Sequence, residues 1–173
     1  MKRKLSILLI ILIFASLLVS CSKNVKFDDV EYKEKGLSFT LPNTMKRQNT
    51  DGYDFYFSGM SMDVIFSALK ITDEILESTG FDTRMSAEEY VDAIIERRGL
   101  EKSKLYYKHY EDLGQFNFRY TYVSESGYET FYFVTVTGTR DNLWYIEMCC
   151  DSEESTKYLD TFEVWRRTVR TYQ

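Results

Sequence analysis

Histidine, proline and cysteine are scarce in this chain. Its 173 residues hold one histidine, one proline and three cysteines. A lone His109, with no thiol set around it in sequence, does not supply the three or four side chains of a usual zinc site. One proline and eight glycines exclude collagen-like and Pro/Gly-rich low-complexity classes. Three cysteines, at positions 21, 149 and 150, do not make the disulfide framework of a secreted mini-protein. Excess basic charge is missing too. The formal net charge of −5 argues against a nucleic-acid partner and against broad contact with anionic lipid. There is no Gly-x-Ser-x-Gly elbow, no EF-hand spacing and no internal repeat. No cofactor motif is present.

Aromatics, by contrast, are abundant: fourteen tyrosines and twelve phenylalanines. This is a strand-rich composition and not a disordered one. The other conspicuous feature is the start of the chain. Lys2, Arg3 and Lys4 precede an apolar run from Leu5 to Val19, interrupted only by Ser6 and Ser16. The run is shorter than the ~20 residues of a membrane-spanning helix, and its flanks fit a secretory signal peptide. It ends in Leu18-Val19-Ser20-Cys21, which resembles the lipobox of bacterial lipoproteins. That resemblance implies cleavage before Cys21 and lipidation of its thiol. Two or more acyl chains give stable anchoring where one does not. An ordinary secretory signal, or an uncleaved helix with a chance Cys, is the alternative. Residues 1–20 are thus read as a lipoprotein signal peptide, residues 21–35 as a lipidated tether, and residues 36–173 as a single α+β domain. Without residues 1–20 the chain has 19 basic and 27 acidic residues, a net charge of −8. As a flexible coil, residues 22–35 reach about 20 Å r.m.s.. Val30 to Tyr32 has the composition of an edge strand as well.

Periodicity outlines the domain. Leu37, Phe39 and Leu41 alternate with Ser38 and Thr40 as in a half-buried strand, closed by Pro42-Asn43. Asp51-Gly52 is a hairpin signal joining weakly polar Met45–Asn49 to Tyr53–Phe57, with Gly59 as a break. Met62 to Ile71 is apolar on both parities, as in a strand covered on both faces. Asp73 to Ser78 reads as a short helix capped by Thr72. Ser86 and Glu89 form a capping box ahead of the stripe Ala87, Tyr90, Val91, Ile94 and Ile95. Arg97 and Arg98 suit the negative end of that helix, and Gly99 stops it. Four strands follow, Leu105–Glu111, Phe116–Tyr122, Tyr128–Thr137 and Asn142–Cys150. A last helix from near Ser152 carries Tyr158, Leu159, Phe162, Trp165 and Val169 at helical spacing. Arg166, Arg167 and Arg170 lie late in it, where they complement the dipole.

This order of strands, helix pair, four-strand meander and C-terminal helix, opened by Leu-Ser-Phe-Thr-Leu-Pro, resembles the PsbP-like superfamily over roughly residues 34–171. The resemblance implies an antiparallel β-sheet packed with helices, an α/β/α sandwich. It also implies a non-catalytic accessory or protein-binding role, and it places no family site residue here. A cystatin-like or other α+β lipoprotein fold is the alternative.

The candidate sites each have a plain structural explanation. Cys149 and Cys150, adjacent on a strand, point to opposite faces. They read as small buried hydrophobes, with a redox pair as the alternative. His109 lies mid-strand, without the carboxylate and nucleophile of a triad. The acidic clusters Asp28-Asp29-Glu31, Asp51/Asp54 and Asp151/Glu153/Glu154 read as solvated surface; the last also suits a helix N-terminus. The row Phe116, Phe118, Tyr120 and Tyr122 reads as a core face under helices, with a stacking platform as the alternative. Tyr53, Phe55 and Phe57 read as less buried, on a strand near an edge. The sequence therefore predicts an envelope lipoprotein, extracytoplasmic and held to the cell membrane, with no catalytic or metal residues. Its domain serves as a binding or accessory module for an envelope protein. A small-ligand receptor and an envelope hydrolase are the alternatives, and nothing in the sequence sets the oligomeric state.

Overall fold

The computed structural model describes residues 28–60 and 62–172; Cys21 and its signal lie outside the described residues. The strands are β1 (Asp29–Glu34), β2 (Leu37–Pro42), β3 (Met45–Arg47), β4 (Phe55–Gly59), β5 (Val64–Ile71), β6 (Tyr106–Tyr110), β7 (Gln115–Val123), β8 (Glu129–Thr137), β9 (Leu143–Asp151) and β10 (Arg170–Thr171). The helices are α1 (Asp73–Thr79), α2 (Ala87–Arg97) and α3 (Ser155–Thr168). Seven strands form one antiparallel sheet in the order β3-β4-β5-β9-β8-β7-β6, and β1-β2-β10 form a second, three-stranded sheet. The α+β expectation holds. β1 occupies much of the stretch read as tether, and it pairs along its length with β2.

The two faces of the large sheet are covered differently. On one face Phe55, Phe57, Phe66, Phe133, Trp144, Ile146 and Met148 meet Leu37, Phe39 and Leu41 of the small sheet and Phe162 and Trp165 of α3. Phe55 and Phe57 are therefore buried, contrary to expectation. Their strand is not the edge, because β3 pairs outside it, and β2 packs over it. On the other face α1 and α2 bury Phe116, Phe118, Tyr120, Val134 and Val136. The aromatic row of β7 is thus core except at its end, where Tyr122 is exposed.

Local signals account for the helices. Ser86 Oγ accepts from Glu89 N at 3.3 Å, and the Glu89 carboxylate accepts from Ser86 N at 2.7 Å. α1 starts on Thr72, whose hydroxyl accepts from Ile75 N, and stops at a left-handed Gly80. The small sheet is tied down at one tight turn. Gly36 has φ +88°, and an added Cβ would fall 2.9 Å from Asn142 Oδ1. Asn142 donates to the carbonyls of Gly36 and Tyr172 and accepts from Trp144 Nε1. Arg166, one of the basic residues late in α3, is turned inward and is 1 % exposed. Its guanidinium is satisfied by Gln115 and Glu163.

Candidate functional site: an open, tyrosine-lined sheet face

The helix pair does not cover its face of the sheet. An eleven-residue α2 is ~16 Å long, whereas seven strands at ~4.8 Å spacing span ~29 Å. The half formed by β4, β5 and the C-terminal part of β9 has no helix over it, and its side chains are half-buried, with Ser67 buried. Register fixes what lies on it. Ser58, Ile65, Cys149, Tyr132 and Tyr120 form one row across β4, β5, β9, β8 and β7. Tyr56, Ser67 and Glu147 form the next. Tyr53 stands beside them, its ring 5.6 Å from that of Tyr56.

Arg98 forms the wall between the open and covered halves. It caps α2 and lies over the Tyr120 ring at 5.0 Å. It donates to the Tyr120 hydroxyl, to Tyr145 Oη at 3.1 Å and to Glu147 Oε1 at 3.1 Å. Tyr145 also donates to Glu147. Burial and the Glu147 charge push the hydroxyls of Tyr120 and Tyr145 up from their usual pKa, so they remain neutral donors. Glu147 is thus an acceptor already held by a guanidinium and two phenols. That is a positioning network for the floor of the face, not a free base.

At one end the open face deepens into a cleft of about 330 Å³. Ser58, Met62, Asp63, Ile65, Tyr128, Thr130, Cys149 and Asp151 line it. Cys149 is on its floor and partly accessible; Cys150 points into the opposite core and is 4 % exposed. Both are free thiols on opposite faces, as strand parity predicts. Burial, then Glu147 and Cys150, push the Cys149 thiol up to about 12. It is therefore protonated at neutral pH and a poor nucleophile. Iodoacetamide is expected to label native Cys149 at pH 8 at least tenfold more slowly than the urea-unfolded chain. Mass spectrometry of tryptic peptides reads this, and equal rates would contradict it.

The remaining sequence candidates have structural roles or lie elsewhere, although Asp151 also borders the cleft. His109 is exposed on edge strand β6, stacked on Phe116 with centroids 4.1 Å apart. Asp54 is structural: it accepts from Lys70 N at 2.8 Å and pairs with Lys35 at 2.8 Å. Asp151 caps the turn before α3 by accepting from Glu153 N at 3.0 Å. Among the described residues no group of three His, Cys, Asp or Glu side chains is placed to hold a metal ion. Sequence reasoning missed Arg98, Tyr145 and Glu147 as a unit. Arg98 and Glu147 are 49 residues apart, and only the strand order brings them together.

No family model and no curated protein matches the chain. Among solved structures it is similar to the cyanobacterial PsbP, CyanoP, of Synechocystis sp. PCC 6803. That likeness has 15 % identity and a TM-score of 0.53, over 90 % of this chain and 99 % of that one. It is also similar to the Ran-binding protein Mog1p of Saccharomyces cerevisiae, at 10 % identity and a TM-score of 0.49, over 84 % of this chain and 96 % of that one. The likeness to CyanoP gives the chain a PsbP-like α+β fold.

Proposed function

We propose that this protein is an extracytoplasmic lipoprotein, anchored through Cys21, whose PsbP-like domain is a non-catalytic binding module for a protein partner. The observation that carries the binding role is the open half-sheet. Tyr53, Tyr122 and Tyr128 are 41 %, 53 % and 55 % exposed on or beside a face that the protein's own helices leave bare. Exposed aromatics on such a face favour a partner, because tyrosine offers large contact area with a polar tip. The groups on that face support binding over turnover. Its thiol is protonated, and its one carboxylate with an ion-pair partner is held by Arg98. The lipobox spacing supports the anchor.

Two measurements test the two halves of this reading. Replacing Cys21 with Ala is expected to move the protein almost wholly from the membrane to the soluble fraction and to abolish palmitate labelling. Retention in the membrane would remove the anchor. A photocrosslinking residue at position 56 in the full-length protein is expected to capture a discrete protein, and Tyr53→Ala with Tyr132→Ala is expected to reduce capture at least fivefold. Capture of nothing at this face would remove the binding role. The cleft favours a second reading, a small-ligand receptor, since its 330 Å³ lies in the range of ligand sites, roughly 300–1,000 Å³.

A further inference from the structure

One end of the large sheet combines three properties: the chain enters there, it is acidic, and it exposes apolar side chains. The Asp28 carbonyl accepts from Asn43 N at 2.9 Å, and the Thr44 carbonyl accepts from Met60 N at 3.1 Å. The start of β1, the β2–β3 turn and the β4–β5 turn therefore lie together. The pairings Val64 with Cys150, Thr130 with Asp151 and Val123 with Glu129 bring the β7–β8 hairpin tip and the end of β9 to this same end. The 330 Å³ cleft opens here. Only residues 22–27 separate Cys21 from Asp28, and seven peptide steps reach at most ~25 Å when extended.

Carboxylates line the hollows at this end, while Lys46 is turned onto the Asn43 carbonyl of the β2–β3 turn. Asp63 and Asp151 line the cleft; Glu129 and Glu153 line a second hollow beside it, shared with Tyr128 and Asp151. No lysine or arginine lines either hollow. Among the described residues none of these four carboxylates forms an ion pair, unlike Asp54 or Glu163 deeper in the fold. The rim between them is apolar, with Met60 76 %, Val123 54 % and Tyr128 55 % exposed.

We infer that this end of the sheet docks a basic, apolar-bearing segment of a protein that lies at the membrane surface. The inference rests on the lipoprotein binding-module reading and names the chemistry of the partner. Two features select it. Unpaired carboxylates around an apolar rim complement a segment that alternates Lys or Arg with aliphatic or aromatic residues. The short link to Cys21 holds this end, and not the opposite one, within about 25 Å of the bilayer. The same carboxylates repel anionic headgroups, so the lipid surface itself is the wrong counterpart.

The test uses the full-length acylated protein in phosphatidylcholine nanodiscs. Three pools of fluorescent twelve-residue peptides share their Leu and Tyr content; they carry Lys/Arg, Gln or Asp/Glu at the other positions. Fluorescence anisotropy is expected to show the basic pool binding at least tenfold tighter than the Gln pool, with affinity falling as salt rises. Asp63→Asn with Asp151→Asn is expected to weaken it at least fivefold, with the circular dichroism spectrum unchanged. His109→Ala, on the far edge strand β6, is expected to leave it within twofold. Equal binding of the pools, preference for the acidic pool, no binding, or no response to the double variant would overturn the inference. So would crosslinks from position 128 to lipid instead of peptide. A partner captured from position 56 without any basic selectivity would keep the binding module and remove only this inference.

Discussion

Phe39→Ala is expected to cost about 3–5 kcal/mol of stability, the range for removing a buried aromatic from a packed core. Phe39 is 1 % exposed and lies where the small sheet meets the large one. Its ring centroid is 5.2 Å from Phe55, 5.8 Å from Phe57, 4.6 Å from Phe66 and 5.4 Å from Tyr32. The contacts with Phe55 and Phe57 are edge-on, each worth roughly 0.5–1.5 kcal/mol beyond area burial. The loss falls on the clasp between sheets, which Phe39 shares with Leu37 and Leu41 of β2. The backbone of β2 pairs only with β1 and with two residues of β10. Urea unfolding followed by tryptophan fluorescence measures the effect, since Trp144 and Trp165 are both buried in this core. Phe39→Leu, which keeps most of the volume, is expected to cost less than half as much. Equal costs for the two variants would show that packing at this clasp is loose.

Glu163→Gln is expected to be nearly as damaging, for an electrostatic reason. Glu163 accepts from Arg119 at 2.5 Å and from Arg166 at 3.0 Å under the β6–β7 side of the sheet. The two guanidinium groups are held close by, with Arg119 3.7 Å from the Tyr106 ring centroid and Arg166 3.5 Å from that of Tyr110. Arg166 is 2 % exposed and Arg119 14 % in their side chains. Removing the carboxylate leaves two positive charges out of water with no counter-ion. Breaking a buried ion pair on one side typically costs about 3–5 kcal/mol. Replacing all three residues together, Arg119→Leu, Glu163→Leu and Arg166→Met, is expected to recover most of that loss, because no charge is then stranded. The same urea titration decides it. A triple variant weaker than Glu163→Gln would mean that the ions hold the packing and not merely each other.

These two sites differ in how far the sequence foretells them. Phe39 sits in a clean alternation, and its burial follows from period two. The capping box at Ser86, the left-handed glycine after α1 and the stripe of α3 are equally local. They follow from rules that act within a few residues, so the helices and most strands are visible in the chain itself. Opposite faces for Cys149 and Cys150 follow in the same way from strand parity. Arg166 is the contrary case. By position it belongs with Arg167 and Arg170 at a helix end, yet it is buried, because Gln115 and Glu163 meet it only after β7 is laid beneath α3. From sequence, Phe55 and Phe57 read as less buried, because their strand follows a polar one and lies near an edge. The covering sheet comes from β2, and sequence neighbours say nothing about it.

The sequence by itself determined the class of this protein: an acidic, aromatic-rich α+β domain, with no assembled catalytic or metal motif, behind a lipobox-like start. Those properties reside in composition and in spacings of a few residues. The tertiary structure decided which part of the sheet the helices cover. Two short helices leave half of a seven-stranded face uncovered, and strand order sets Arg98 against Glu147 across 49 residues. Antiparallel register gathers Asp63, Glu129 and Asp151 at the end where the chain enters. Local rules are blind to these placements because each depends on which strands become neighbours, and that is settled only when the sheet closes on its core.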